Sequence, residues 1–310
     1  MFNRGFVGGL YVICALFTGQ ACAGGQSDFA IDDVERFAQM LASQTPITAQ
    51  LIERSYLTPG SLGQTILAQR IGGSRTLANT VNQQPEIYQR AISMCLPAVR
   101  SLRAKVLERI RRVTSYVGQP QLLPVSITIA ANNTAATVNN QGIALALEVI
   151  CQQANEPRDV EQLVLDYVGH EAVHVLQYRN SQRTEFRFTL LELALIEGSA
   201  DFIAASATGH SSQLQTVRER YGDKHAHQLW TRFFPLMDTF QYAPWLYSPT
   251  AGEQPADMGY WIGQQIAKAY FQNSDDKRQA LDDLIRLKDA KAILKHSGIA
   301  QHVGFDEDIE

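Results

Sequence analysis

The chain has 310 residues, of which 45% are hydrophobic and 19% are charged, and its formal net charge is −4. This composition is typical of a globular protein and excludes a largely disordered chain. The small negative charge gives no reason to expect nucleic acid or an anionic membrane surface as a partner. The length suits one large domain or two modest ones.

The first 23 residues have the pattern of a secretory signal peptide. Arg4 precedes an uncharged apolar run, Phe6 to Phe17, and Ala21-Cys22-Ala23 has the small-x-small form of a cleavage site. The run is too short for a bilayer, which needs about 20 residues. We therefore expect a mature chain beginning at Gly24, periplasmic or secreted and not stably inserted in a membrane. A lipid anchor on Cys22 is the less favoured alternative.

From residue 30 to about residue 118 the apolar residues have helical spacing. The first predicted helix face consists of Phe29, Ile31, Val34, Phe37 and Leu41. A longer predicted helix follows Pro85 and continues to Ile110, with several basic residues on its outer side. A basic amphipathic helix can bind an acidic surface. The net negative charge of the chain instead favours an ordinary solvent-exposed helix face.

Between residues 121 and 151 the spacing of the apolar residues changes from helical to alternating. Segments 124–130 and 142–150 alternate and are rich in β-branched residues, with Asn-rich turn residues between them. After Pro157 we predict helices near 158–179, 187–208, 212–221, 224–239, 257–272, 275–287 and 289–296. The expected fold is α+β and mainly α-helical, with a small sheet. We expect an N-terminal lobe, 24–157, and a C-terminal lobe, 158–305.

Cys95 and Cys151 are the cysteines left after removal of the leader. In an oxidising compartment they can pair. Both also lie in apolar segments, so two buried free thiols are an equal alternative. Neither is spaced like a zinc ligand set.

His170-Glu171-Ala172-Val173-His174 is an HExxH motif within the predicted helix 158–179. Residues four apart lie one turn apart on one helix face, so both imidazoles can reach one metal ion. Glu171 projects beside that position, where it can reach a coordinated water. The alternative is two histidines in a helical core. That alternative would bury Glu171 at considerable cost unless it found a partner.

Glu197 and Asp201 lie one turn apart in the next predicted helix, which is strongly apolar. Acids on such a face usually need a cation or a hydrogen-bond donor. Gly198 is small enough to let a neighbouring helix come close. The competing interpretation is a surface ion pair with Arg183 or Arg187.

The HEAVH motif followed by Glu197-Gly-Ser-Ala-Asp201 resembles the gluzincin arrangement of thermolysin-like peptidases. It resembles more closely the bacterial families of predicted zinc-dependent proteases, over roughly residues 160–297. The resemblance implies a zincin-like fold and one Zn²⁺ per chain, with His170, His174 and Glu197 as ligands. It also implies that Glu171 is the base, that Asp201 is an acceptor for His170, and that strand 142–150 is the edge along which substrate lies.

Three protein ligands would leave one position for water, as in catalytic zinc sites. Glu171 would then take the proton of that water and pass it to the leaving amine. Tyr260, His225 and His227 are all candidates for the donor to the oxyanion. The expected function is that of an exported metallopeptidase acting on peptides or proteins. The alternatives are a zinc-binding module without hydrolytic activity and a helical secreted protein with an accidental motif.

Overall fold

A computed structural model describes residues 28–43, 46–181, 187–248 and 252–304. The predicted signal peptide, residues 1–23, and the C-terminal residues 305–310 lie outside these residues. The described residues group into two compact units: a sheet unit, 28–112 and 120–175, and a helical unit, 113–119 and 176–304. The structure is α+β and mainly helical, as predicted. The lobe boundary expected at residue 157 stays a prediction.

The sheet unit contains a mixed sheet, which has the order β1-β2-β4-β3 in the described residues. Its strands are β1 (Phe29–Ala30), β2 (Val125–Thr128), β3 (Ala136–Val138) and β4 (Ile143–Ala146). The β1–β2 and β2–β4 pairs are parallel, whereas β3 runs antiparallel to β4. Every residue of β2 and β4 is buried, as is typical of strands covered on both faces.

Three expectations about these strands were wrong. Phe29 pairs with Val125 in β1 and is not part of the first helix. Segment 142–150 is not one strand, because the chain turns into a helix after Ala146. That segment is also not the edge, because β4 has neighbours on both sides and β3 is the edge strand next to it.

Most helices that begin in the sheet unit are short, apart from the one that carries the HExxH motif. They are α1 (Asp32–Ser43), α2 (Ala49–Ile52), α3 (Leu62–Ile66), α4 (Ala68–Ile71), α5 (Gly73–Gln83), α6 (Pro85–Arg90), α7 (Leu96–Val99), α8 (Arg103–Tyr116), α9 (Leu147–Gln153) and α10 (Pro157–Asn180). Residues 53–57 and 91–95 are π-helical. The single long helix predicted after Pro85 is therefore divided, and its last part is α8.

The basic residues of the segment that was predicted as one long helix after Pro85 have acidic partners. Arg100 pairs with Glu35 at 2.7 Å, and Lys105 pairs with Glu161 at 2.5 Å. Both pairs are largely exposed. The basic side is thus a solvated face with local ion pairs, which agrees with the interpretation favoured from the sequence.

Cys95 and Cys151 form a disulfide across 56 residues of chain, with their Cα atoms 5.9 Å apart. Of the two alternatives for these cysteines, the structure shows the paired one. The bond links the π-helical segment 91–95 to α9 within the sheet unit.

Glu148, at the start of α9, is completely buried. Its Oε1 accepts the backbone N–H groups of Ala130 at 3.1 Å and Asn132 at 3.3 Å. Burial raises the pKa of Glu148 to about 8, although the hydrogen bonds from backbone groups oppose this rise. Glu148 therefore holds the loop between β2 and β3 from inside the unit.

The helical unit consists of longer helices. They are α11 (Leu190–Thr208), α12 (Gln213–Phe233), α13 (Met258–Asn273), α14 (Lys277–Arg286), α15 (Ala290–Ser297) and α16 (Ile299–Val303), with a 3₁₀ turn at Phe234–Leu236. The helices predicted at 212–221 and 224–239 are one helix, α12, which is irregular at His225 (φ −116°, ψ 19°). No helix of the described ranges is long and apolar enough to cross a membrane.

Helices α11 and α13 approach each other through glycine. A Cβ atom on Gly198 would overlap the backbone nitrogen of Gln264, and one on Gly263 would overlap the carbonyl group of Ala194. The close approach expected at Gly198 is confirmed. Helix α11 begins with a capping box between Thr189 and Glu192, which fixes its first turn.

Candidate metal centre

Helix α10 carries the HExxH motif on a largely buried turn. The Nε2 atoms of His170 and His174 are 2.9 Å apart, and their ring planes are inclined by 82°. Two nitrogens on a tetrahedral zinc ion would be about 3.3 Å apart, given Zn–N distances of about 2.0–2.1 Å. His174 and Glu171 are buried, and His170 is half-buried. The two imidazoles therefore converge as a shared metal ion would require.

Glu197, on α11, brings a third possible ligand atom to the two histidines. The side-chain atoms of His170, His174 and Glu197 that could bind a metal ion all lie within 4.8 Å of one another. Glu197 is only 1% exposed. Two imidazole nitrogens and one carboxylate oxygen are the donor set of known catalytic zinc sites. The chemistry of the residues present thus fits zinc, and the three predicted ligands are brought together.

Tyr247 contacts the site and was missed by the sequence analysis. Its hydroxyl group donates a hydrogen bond to Oε1 of Glu197 at 3.2 Å. Burial raises the pKa of Tyr247, and the adjacent Glu197 carboxylate raises it further. The phenol therefore keeps its proton and acts as a donor. Tyr247 lies in the loop between α12 and α13, 50 residues after Glu197, so no helical spacing could reveal it.

Asp201 is buried one turn after Glu197, and its Oδ2 accepts a hydrogen bond from Arg218 at 3.2 Å. The two side chains are 10% and 11% exposed, so this ion pair is largely removed from water. The guanidinium group of Arg218 also lies 4.3 Å from the ring centre of Tyr260. The predicted role of Asp201 as an acceptor for His170 stays a prediction.

The burial of Glu197 and Asp201 argues against the surface ion pair considered from the sequence. Arg187 instead stacks on Phe240, with 3.8 Å between its guanidinium carbon and the ring centre. Arg183 lies outside the described residues.

Asp257 precedes α13 in a left-handed conformation, with φ of 58°. Burial raises its pKa, whereas Arg218 and the backbone N–H groups of Tyr247 and Ser248 lower it. The carboxylate thus faces the backbone of the segment that carries Tyr247. This arrangement connects the start of α13 to the residue that contacts Glu197.

The three candidates for an oxyanion donor have different surroundings. Tyr260 is half-buried on α13, and burial followed by the charge of Glu197 raises its pKa. His225 stacks on Tyr221 with 4.3 Å between ring centres. His227 is exposed on α12. The donor to the oxyanion stays a prediction.

The family described as "Predicted Zn-dependent protease (DUF2268)" matches residues 104–295, a range that includes His170, Glu171, His174 and Glu197. No curated protein and no solved structure shows significant similarity to the chain. Since the family match covers more than half of the sequence, the chain belongs to this family of predicted zinc-dependent proteases.

Proposed function

We propose that the protein is an exported zinc-dependent metallopeptidase with a zincin-like active site. The observation that carries this proposal is the convergence of His170, His174 and Glu197 within 4.8 Å, in a chain of a predicted zinc protease family. Three protein ligands leave a coordination position for water, which distinguishes catalytic from structural zinc sites.

Zinc bound at such a site supplies Lewis acidity and lowers the pKa of its water to about 7. Glu171 accepts the proton of the attacking water and later delivers it to the leaving amine. Its buried position on α10, next to His170, supports this role. We propose in addition that Asp201, held by Arg218, orients the ring of His170 through its other nitrogen. Zinc affinity of Asp201→Asn tests that role.

A peptide or a protein, rather than nucleic acid, is the proposed substrate. Strand β3 (136–138) is an edge of the sheet formed by the described residues. An edge strand offers backbone N–H and C=O groups to which an extended peptide can add as a further strand. We propose β3, and not segment 142–150, as the strand beside the substrate.

The proposed location is the periplasm or the exterior of the cell. The Cys95–Cys151 disulfide supports it, because such bonds persist in oxidising compartments and are rare in the cytosol. The leader pattern of residues 1–23 supports it as well.

Metal analysis of the purified mature protein tests the first part of the proposal. We expect about one zinc per chain in the wild type and no stoichiometric zinc in His174→Ala. Full zinc content in that variant would contradict the ligand assignment. A wild type that binds no zinc would contradict the proposed function itself.

Digestion of a broad peptide library, with and without a chelator, tests the second part. We expect cleavage that the chelator abolishes and that added zinc restores. A protein that holds zinc but cleaves no peptide would instead support a zinc-binding module without hydrolytic activity.

A further inference from the structure

We infer that Tyr247 is a positioning residue for Glu197, one that makes Glu197 bind the metal through a single carboxylate oxygen. The inference rests on the proposed zinc function. The Tyr247 hydroxyl group engages Oε1 of Glu197 at 3.2 Å. A carboxylate has two oxygens, so a donor held on one of them leaves the other for the metal. The phenol would also restrict rotation of the carboxylate about its side-chain bonds.

The backbone of Tyr247 indicates that its side chain is needed at this place. Tyr247 has φ of 58°, a left-handed conformation that glycine or asparagine adopts more readily than a bulky residue. Residues held in such conformations persist where the surrounding structure imposes them, often at functional sites. A tyrosine in this conformation, with its hydroxyl group on a predicted metal ligand, fits that description.

The surrounding segment holds Tyr247 in this conformation. Trp245 and Leu246 are each 1% exposed. The ring of Trp245 meets Phe233 edge to face at 5.2 Å, and its carbonyl group accepts the N–H of Gly259 at 2.9 Å. The carboxylate of Asp257 faces the backbone N–H group of Tyr247 itself. Tyr247 is thus supported from α12 on one side and from α13 on the other.

A hydrogen bond to a charged carboxylate is stronger than one between neutral groups. Partners of metal ligands orient those ligands, and their loss typically costs about 10- to 100-fold in metal affinity. Helix α11 fixes the backbone of Glu197, but it does not fix the torsions of its side chain. The phenol supplies that restraint.

The test is the zinc affinity of full-length mature Tyr247→Phe, measured by competition with a chromogenic chelator. We expect the dissociation constant to rise about 10- to 100-fold. The Co²⁺-substituted variant should also show a changed visible absorption spectrum, because the geometry of the carboxylate ligand changes. Thermal unfolding of the metal-free protein, followed by circular dichroism, shows whether the fold is kept.

Tyr270→Phe is the matched control. Tyr270 also donates a hydrogen bond to a carboxylate of the helical unit, Oδ2 of Asp283 at 2.8 Å, but Asp283 is not a predicted ligand. We expect this control to keep the zinc affinity and the cobalt spectrum of the wild type.

Unchanged affinity and spectrum in Tyr247→Phe would overturn the inference, and the zinc bound by the wild type would still support the proposed function. An equal loss of affinity in both variants would also overturn it, because the effect would then be a general loss of stability. A wild type without zinc affinity would overturn the proposed function together with the inference.

Discussion

Glu171 and Glu148 are both buried glutamates, but their surroundings differ in kind. Glu171 lies in the chain between two histidines whose Nε2 atoms converge and which, with Glu197, could hold a metal ion. Glu148 faces two backbone N–H groups of a loop, and burial raises its pKa to about 8. Under the proposed function, Glu171 takes part in proton transfer. Glu148, in its neutral form, holds the loop.

Glu171→Gln should separate catalysis from metal binding. The amide keeps the size of the side chain but cannot accept a proton, so we expect retained zinc and turnover lower by about 10²–10⁴-fold. Metal analysis and the peptide digest measure both quantities. Glu161→Gln is the control, because Glu161 lies on the same helix but pairs with Lys105. If Glu171→Gln lost its zinc, Glu171 would be a ligand; if it turned over at the wild-type rate, the base would lie elsewhere.

Glu148 should make the metal-free protein less stable as pH rises. Its folded pKa of about 8 lies above the ordinary value of 4.5. Between these values the folded state retains a proton that the unfolded state has released. The free energy of unfolding therefore falls through this pH range, by up to about 1.4 kcal/mol per pH unit. Urea unfolding at pH 5 and pH 8, with a chelator present, measures this slope.

Glu148→Gln tests the assignment of that slope to one residue. Glutamine does not titrate and resembles the neutral acid, so we expect the variant to lose less stability than the wild type between pH 5 and pH 8. Two proteins with the same pH dependence would show that Glu148 does not titrate in this range.

The contact between α11 and α13 leaves no room for a side chain at Gly198 or Gly263. Gly198→Ala would place a methyl group against backbone atoms of α13, which cannot move aside as a flexible side chain can. Overpacking of this kind costs about 1–3 kcal/mol or more in the free energy of unfolding. Urea unfolding measures it. Ser206→Ala, exposed on the same helix, should change little. A Gly198→Ala protein as stable as the wild type would contradict this packing.

The sequence predicted α10, α11 and α13 to α15 closely because their apolar residues have helical spacing. It failed at α9, where a continuous buried run cannot be assigned to strand or helix by periodicity alone. It also failed at Gly222, which lies between the predicted helices 212–221 and 224–239 but within the single helix α12. A Cβ atom there would overlap the indole of Trp261, so close packing explains this glycine without any end of the helix.

In the candidate site, too, some residues could be predicted from the sequence and others could not. His170, His174 and Glu197 lie on helices, and their spacing made them recognisable in the sequence. Tyr247 reaches Glu197 from a loop, and Arg218 reaches Asp201 from α12. Contacts of this kind depend on tertiary packing and have no periodic signature in the sequence.

The disulfide between Cys95 and Cys151 closes a loop of 56 residues. Constraining the unfolded chain over that length contributes about 4 kcal/mol in the loop-entropy treatment. We expect Cys95→Ala/Cys151→Ala to lower the free energy of unfolding by an amount of this order. Urea unfolding with and without reductant measures it, and the reductant should affect only the wild type. No difference between oxidised and reduced wild type would contradict the prediction.

Helix α11 is apolar on almost all sides. Most of its residues from Leu190 to Ile203 are buried. A helix of this kind has no face that water can cover, and α13 covers one side of it through the glycine contact. During synthesis, Glu197 and the rest of α11 therefore emerge well before α13, the helix that packs against α11. A ribosome must translate through residue 273 before α13 is complete. A chain that ends before α13 should expose α11, aggregate and fail to acquire metal, even though every predicted ligand is present in it.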